Sequence, residues 1–175
     1  IVTESGADLP DDIKNREDVF SLTMHISIEG KDYPDGSMPI EEMCSYYDKT
    51  GKTPTTSAVN PDEYKEVFDK IINDDPEAKI IHNSYSSAVS CTYQNAVIAA
   101  EGRENIYHID TLNVSAGQGL IVIKTLQTLD KNPDIGVDEL VEKIKEYSRQ
   151  AKFIFIPGNL DYLRAGGRVS NAQYI

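Results

Sequence analysis

The hydrophobic positions of the chain repeat with two periods. Short apolar runs at Ile1 to Thr3, Ala78 to His82, Asn105 to Ile109 and Lys152 to Pro157 read as strands. Phe20 to Glu29 alternates apolar and polar residues (Leu22, Met24, Ile26, Ile28), as a half-buried strand does, and Gly30-Lys31-Asp32 turns it toward Tyr33 in a hairpin-like excursion. Elsewhere the period lengthens to that of a helix. Tyr64, Val67, Phe68, Ile71 and Ile72 share a face, as do Val137, Leu140, Val141, Ile144 and Ser148, and Pro39 introduces a helix that aligns Ile40, Met43, Cys44 and Tyr47. Leu120 to Leu129 is apolar on most sides, which predicts a buried helix. Turn-forming residues 4–10 separate the first strand from a short helix near Asp11 to Asn15. Strands alternating with helices imply βαβ units, hence an α/β fold with a mainly parallel sheet and helices on both faces.

Within this frame, Ser84 to Gln94 stands out. It follows an apolar strand and opens a helical run in which Val89, Tyr93, Ala96, Val97 and Ala100 fall on one face, so several hydroxyls crowd a helix start. Ser86 or Ser87 as a simple cap is the plain interpretation. The other is an anion site, because free N–H groups and the helix dipole favour a carboxylate or phosphate there. Thr55-Thr56-Ser57 supplies a comparable hydroxyl loop ahead of the helix that begins near Pro61. Two such loops at one sheet edge could share a small anion between neutral donors.

Composition narrows the partners. The 175 residues carry a net charge of −12 with no Lys/Arg cluster, which argues against nucleic acid and anionic membrane surfaces. There is no 18-residue apolar run, so no transmembrane segment is expected. Cys44 and Cys91 fit no zinc spacing and suggest reduced thiols, which points to the cytoplasm. Asn113-Val114-Ser115 matches a glycosylation acceptor, with nothing else to suggest secretion. His25, His82 and His108 sit in strand-like runs without partners at metal-ligand spacing, so they read as structural and no metal site is expected.

Three motifs tempt and fail. Gly51-Lys52-Thr53 lacks the phosphate loop's first Gly, since position 46 is Tyr, and Pro54 stands where a helix should start. Gly117-x-Gly119 lacks the third Gly of a dinucleotide fingerprint and suits close packing at a helix start. Asn113-Val114-Ser115-Ala116-Gly117 resembles a nucleophile elbow with Asn in place of the first Gly, and no His follows His108, so a serine hydrolase using Ser115 would need an atypical order. Gly166-Gly167 reads as a helix stop, with Arg168 either a surface cation or a contact to an anion or partner protein.

Taken together, several segments resemble the DegV family of bacterial fatty-acid-binding proteins. They are Val2-Thr3-Glu4-Ser5 with Asp8-Leu9-Pro10, Glu29-Gly30 with Tyr33 and Asp35, Thr56-Ser57, Ser86-Ser87-x-x-Ser90 with Thr92-Tyr93-Gln94, Ile109-Asp110, Ser115-x-Gly117-x-Gly119-Leu120, and Gly166-Gly167-Arg168-Val169-Ser170. The resemblance implies a two-domain protein that encloses one long-chain fatty acid, its carboxylate held by Thr56 and Ser90. Ser57, Ser87, Cys91, Thr92, Ser115 and Gly117 become secondary pocket candidates and Arg168 a possible partner contact. It also implies a carrier without chemistry or cofactor of its own, which presents the carboxylate to a separate fatty acid kinase that uses ATP to make an acyl-phosphate for phospholipid synthesis. Residues 1–157 would be the N-terminal α/β domain, and 158–175 the start of the connection to a C-terminal domain that is largely absent.

Three positions depart from the family pattern. Glu4 stands where Asp is usual, Gly6 where Thr is common, and Cys91 where a Gly follows the carboxylate-binding serine. The longer acid is expected to reshape the first loop, and the Cys91 side chain to crowd the headgroup. Besides the hydrolase, a ligand-free regulatory module is the remaining alternative.

Overall fold

In chain order the strands are β1 (Val2–Glu4), β2 (Phe20–Leu22), β3 (His25–Ile28), β4 (Lys31–Pro34), β5 (Thr55–Ser57), β6 (Ile80–Ser84) and β7 (Ile106–Asp110). The helices are α1 (Asp11–Lys14), α2 (Ile40–Thr50), α3 (Pro61–Asp74), α4 (Thr92–Ala99), α5 (Ala116–Lys131), α6 (Val137–Gln150) and α7 (Asp161–Ala165), with a 3₁₀ turn at Ser5–Ala7. The computed structural model describes residues 1–165, 167, 169 and 170. They group into two compact units, one of residues 1–23 and 58–153, the other of 24–57 with the described residues from 154 onward.

The first unit holds a parallel sheet in the order β2-β1-β6-β7. Side chains along a strand alternate between faces, and β6 uses both. Ile81 joins Ile109 of β7, Ile121 of α5, and Leu140 and Ile144 of α6 in one buried cluster, and Asn83 donates to Thr125 of α5. His82 faces the other way, edge-on to the Tyr64 ring of α3, while His108 meets Phe68 of α3 and Tyr93 of α4. The sheet is therefore covered on both faces, as βαβ units require.

Local chemistry fixes the helix ends. Asn60 accepts from the Glu63 N–H while Glu63 accepts from the Asn60 N–H, a reciprocal cap that starts α3 with Pro61 in its first turn. At the C-terminal end of β1, Gly119 of α5 comes so close to the 3₁₀ turn that a Cβ there would lie well inside van der Waals contact with the Ala7 carbonyl oxygen. This is the tight packing that the lone glycine pair predicted.

The second unit holds an antiparallel sheet in the order β4-β3-β5, with β3 and β4 forming the expected hairpin. Within it, Tyr47 of α2 packs against Tyr162 of α7 with ring centroids 4.5 Å apart.

Several sequence expectations need correction. Phe20 to Glu29 is two strands in different sheets, because residues 23 and 24 leave the extended ladder. Thr55 to Ser57 is not a loop but β5, paired with β3. The hydroxyl stretch does not start a helix at Ser86: α4 begins at Thr92, and Val89, expected on its apolar face, is 69% exposed. Helix α5 starts at Ala116, a turn earlier than its apolar run. Residues 152–157 belong to neither sheet, and Ile154 and Ile156 are 81% and 91% exposed, since an apolar run without a neighbouring ladder has nothing to hold it extended. No helix among the described residues is long and apolar enough to cross a membrane.

Candidate functional site

The C-terminal ends of β6 and β7 carry the hydroxyl loop, at the sheet edge where open α/β folds gather ligands. Thr111 donates to the Ser84 carbonyl (2.7 Å) and the Ser86 N–H donates to the Asn113 carbonyl (3.1 Å), so the two loops are stitched together. Asp110 accepts from the Ser87 hydroxyl (2.5 Å), the Ser87 N–H and the Leu112 N–H. Ser90, half-buried ahead of α4, shares a hydrogen bond with the Thr92 hydroxyl (2.7 Å) and accepts from the Thr92 N–H (3.2 Å). The loop therefore presents two kinds of hydroxyl. Ser87 is committed to a carboxylate, whereas the Ser90 and Thr92 pair is neutral and lies beside a helix start.

Beneath this loop lies a cluster that sequence reasoning missed. Glu4, at the end of β1, is wholly buried. Its Oε1 accepts from the Tyr64 hydroxyl and lies 2.6 Å from His82 Nε2; its Oε2 accepts from the Tyr85 N–H (2.9 Å) and from Gln118 Nε2 (2.7 Å). Gln118 also donates to Thr3 and to the Asn83 carbonyl. Burial pushes the Glu4 carboxyl toward protonation. The electrostatic interaction with His82 and the hydrogen bonds from His82, Tyr64 and Tyr85 outweigh it and hold the group below the ordinary carboxylate value. The Tyr64 phenol is raised, first by burial and then by the charge of Glu4, so it stays a donor. Because Glu4 grips the Tyr85 N–H, this cluster sets where the hydroxyl loop begins.

The chain of contacts continues outward. His82 Nδ1 lies 2.9 Å from His108 Nδ1, and burial first, then His82, lower His108 to about 4. The folded protein thus protonates His108 only near pH 4, while the unfolded chain does so near 6.5. Between those values the unfolded state holds more protons, so this group makes stability rise with pH and stops contributing a slope outside the window. Replacing His108 by Gln is expected to flatten the pH dependence of urea midpoints between about 4 and 6.5. An unchanged slope would mean that His108 does not carry it.

The candidate residues fall into separate settings. Thr56 and Ser57 are exposed on β5 in the second unit; Ser87, Ser90, Cys91, Thr92, Ser115 and Gly117 belong to the first. The structure brings Ser90 and Thr92 together and ties Ser87 to Asp110. Gly117 is buried, and a Cβ there would meet Phe153 Cβ at 2.7 Å, so its role is packing. Cys91 has φ −81° and ψ 2°, open to any residue, and its exposed thiol lies 3.8 Å from Asn95 Nδ2 of its own helix. Cysteine there needs no backbone strain. Glu4 does not reshape the first loop outward but turns into the core. Arg168 lies outside the described residues.

Ser115 has φ 51° and ψ −137°, the strained turn that an elbow nucleophile adopts. Its hydroxyl, however, donates to Asp8 Oδ2 at 2.5 Å, while the His82 and His108 rings are bonded to each other and His82 to Glu4. The turn has an elbow's backbone without an imidazole base.

These features can be set beside known proteins. A profile of the family described as "Uncharacterised protein, DegV family COG1307" matches residues 1–175. A DegV domain-containing protein of Caldanaerobacter subterraneus subsp. tengcongensis is 33% identical across 100% of this chain and 62% of its own length. A protein of Thermotoga maritima named fatty acid-binding protein is 30% identical across 99% of this chain and 61% of its own length. A solved structure of a Thermotoga maritima protein, described as revealing fatty acid binding function, has a TM-score of 0.68 at 26% identity, covering 83% of this chain and 53% of that one. The chain thus spans less than two thirds of the length of these relatives. By the match along its full length, the chain belongs to the DegV family.

Proposed function

We propose that the protein holds one long-chain fatty acid, with Thr56 and Ser90 as the candidate carboxylate-binding hydroxyls, and presents that headgroup to a separate kinase. The observation that carries this reading is the neutral Ser90 and Thr92 pair ahead of α4, on a loop pinned from below by Glu4 and from the side by Asp110. Donors without charge beside a helix N-terminus suit a monoanionic oxygen acid. The fatty-acid-binding relatives from Thermotoga maritima support the same ligand class. Each CH₂ removed from water adds about 0.8 kcal/mol, so the acyl tail supplies most of the affinity and the hydroxyls fix its direction.

On this reading the protein is a non-catalytic carrier that needs no cofactor, and phosphoryl transfer to the carboxylate takes place on its kinase partner. Thr56 and Ser90 are the candidate headgroup contacts, and Thr92 is a secondary candidate beside Ser90. Ser57 is a nearby candidate on the same strand as Thr56, and Arg168 a candidate contact to the partner.

Native mass spectrometry of the full-length protein is expected to show a co-purified acyl mass. Thr56→Ala and Ser90→Ala are each expected to weaken long-chain fatty acid binding by about tenfold, roughly one charge-assisted hydrogen bond, while moving the melting temperature little. Ligand-free protein after gentle purification, together with a large loss of stability in Ser90→Ala, would leave only the turn-forming role of Ser90.

A further inference from the structure

The Glu4 carboxylate divides its hydrogen bonds between two tasks. Oε1 takes the Tyr64 hydroxyl of α3 and His82 Nε2 of β6 (2.6 Å), which ties the sheet to the helix covering it. Oε2 takes the Gln118 amide of α5 (2.7 Å) and the N–H of Tyr85 (2.9 Å), the first residue after β6. A buried charge is a costly way to hold a fold, since apolar side chains of similar volume often do as well. What the carboxylate adds on its Oε2 side is a fixed direction for one backbone N–H.

That direction is passed along the loop. Every backbone N–H from Tyr85 to Val89 has an acceptor: Glu4 for Tyr85, the Asn113 carbonyl for Ser86, Asp110 for Ser87, the Ser86 hydroxyl for Ala88 and the Ser86 carbonyl for Val89. Of these acceptors only Glu4 is both charged and wholly buried. Ser90 follows directly on this tied turn, and its hydroxyl is bonded only to Thr92. An oxygen acid arriving at the loop therefore finds no free backbone donor from Tyr85 to Val89 and meets the Ser90 and Thr92 hydroxyls instead.

We infer that Glu4 is a positioning residue for the headgroup site. Through Oε2 it fixes Tyr85, and through the turn that follows it aims the Ser90 hydroxyl, so the preference for a carboxylate over a neutral headgroup depends on a side chain buried beneath the loop. This rests on Ser90 being a headgroup contact.

Oleate and oleyl alcohol share a tail and differ in the headgroup, so the ratio of their dissociation constants separates the headgroup contact from apolar burial. In the full-length protein, Ser90→Ala is expected to lower the preference for oleate by about tenfold and Glu4→Gln by at least about fivefold. Combining the two is expected to add little, because both act on one contact. Tyr64→Phe, which removes a partner of Oε1 alone, is expected to lower the melting temperature and leave the preference unchanged, which a general loosening would not do. Where Glu4→Gln fails to fold, replacing Tyr85 by its α-hydroxy acid removes the N–H and keeps every side chain, and it is expected to lower the preference to the same degree. If Ser90→Ala lowers the preference and neither Glu4→Gln nor the Tyr85 backbone change does, the positioning role is overturned and Ser90 remains a contact. A Glu4→Gln protein that prefers oleate more than the parent does would overturn it as well, by showing that Glu4 acts through its charge. If Ser90→Ala leaves the preference intact, the contact and the positioning role fall together.

Discussion

Replacing Glu4 by alanine is expected to lower the unfolding free energy by about 3–5 kcal/mol, the range for breaking a fully buried, charge-paired group. The reason is the number of partners left behind. Tyr64, His82, the Tyr85 N–H and Gln118 all lose the carboxylate that they share, in a place no water reaches from the surface. Glu4→Gln separates charge from shape. It keeps an oxygen for Tyr64 and His82 but turns an NH₂ toward the Tyr85 and Gln118 donors, so it is expected to recover only part of the loss. Urea unfolding of the three proteins at neutral pH checks the order. A Gln variant as stable as the parent would show that Glu4 is held protonated. Because the carboxyl is held below its ordinary value, its contribution is complete at neutral pH and above. It fades as the pH falls below about 4.5 and through the lower folded value. The acid limb of the stability curve should therefore be shallower in both variants.

The second large effect is expected at Gly119. Alanine in place of glycine inside a helix ordinarily adds about 1 kcal/mol. Here the new methyl would strike the Ala7 carbonyl, which is backbone and cannot rotate aside. Either the 3₁₀ turn at Ser5–Ala7 or the first turn of α5 must move, and overpacking of this kind costs about 1–3 kcal/mol beyond the propensity gain. Gly119→Ala is thus expected to lower the melting temperature by several degrees, at about 2–4 °C per kcal/mol for a chain of this size. Gly136→Ala is the control, since a Cβ there meets nothing within 4 Å. If Gly119→Ala melted at or above the parent temperature, the close approach would not constrain the fold.

The parts of this molecule that depend on local periodicity could be read from the chain. Tyr64 and Phe68, or Leu140 and Ile144, are one turn apart, so the face they bury is written within a few residues. The hydroxyl loop was visible for the same reason, as a cluster contiguous in sequence. Its helix starts later than the sequence predicts because Ser86 and Ser87 serve turns and Asp110 rather than caps, a choice made by a residue more than 20 positions away. Glu4 reads from sequence as a loop residue because nothing near it explains a buried carboxylate; its partners are 60 to 114 residues distant. The two histidines were legible as strand residues but not as a connected pair, since the register that sets His82 opposite His108 arises only when β6 and β7 align.

That separation also bears on the order of events during synthesis. Strand β1 leaves the ribosome long before its inner neighbour β6 and before the Gln118 amide that completes the Glu4 cluster. Contacts so far apart along the chain form slowly and late. Until then the Glu4 carboxylate is hydrated and the strand that will occupy the interior of the sheet keeps the edge meant for β6 open, exposed to pairing with another nascent chain. The ionised side chain that later anchors the core serves meanwhile as the solubilising group of an unfinished strand.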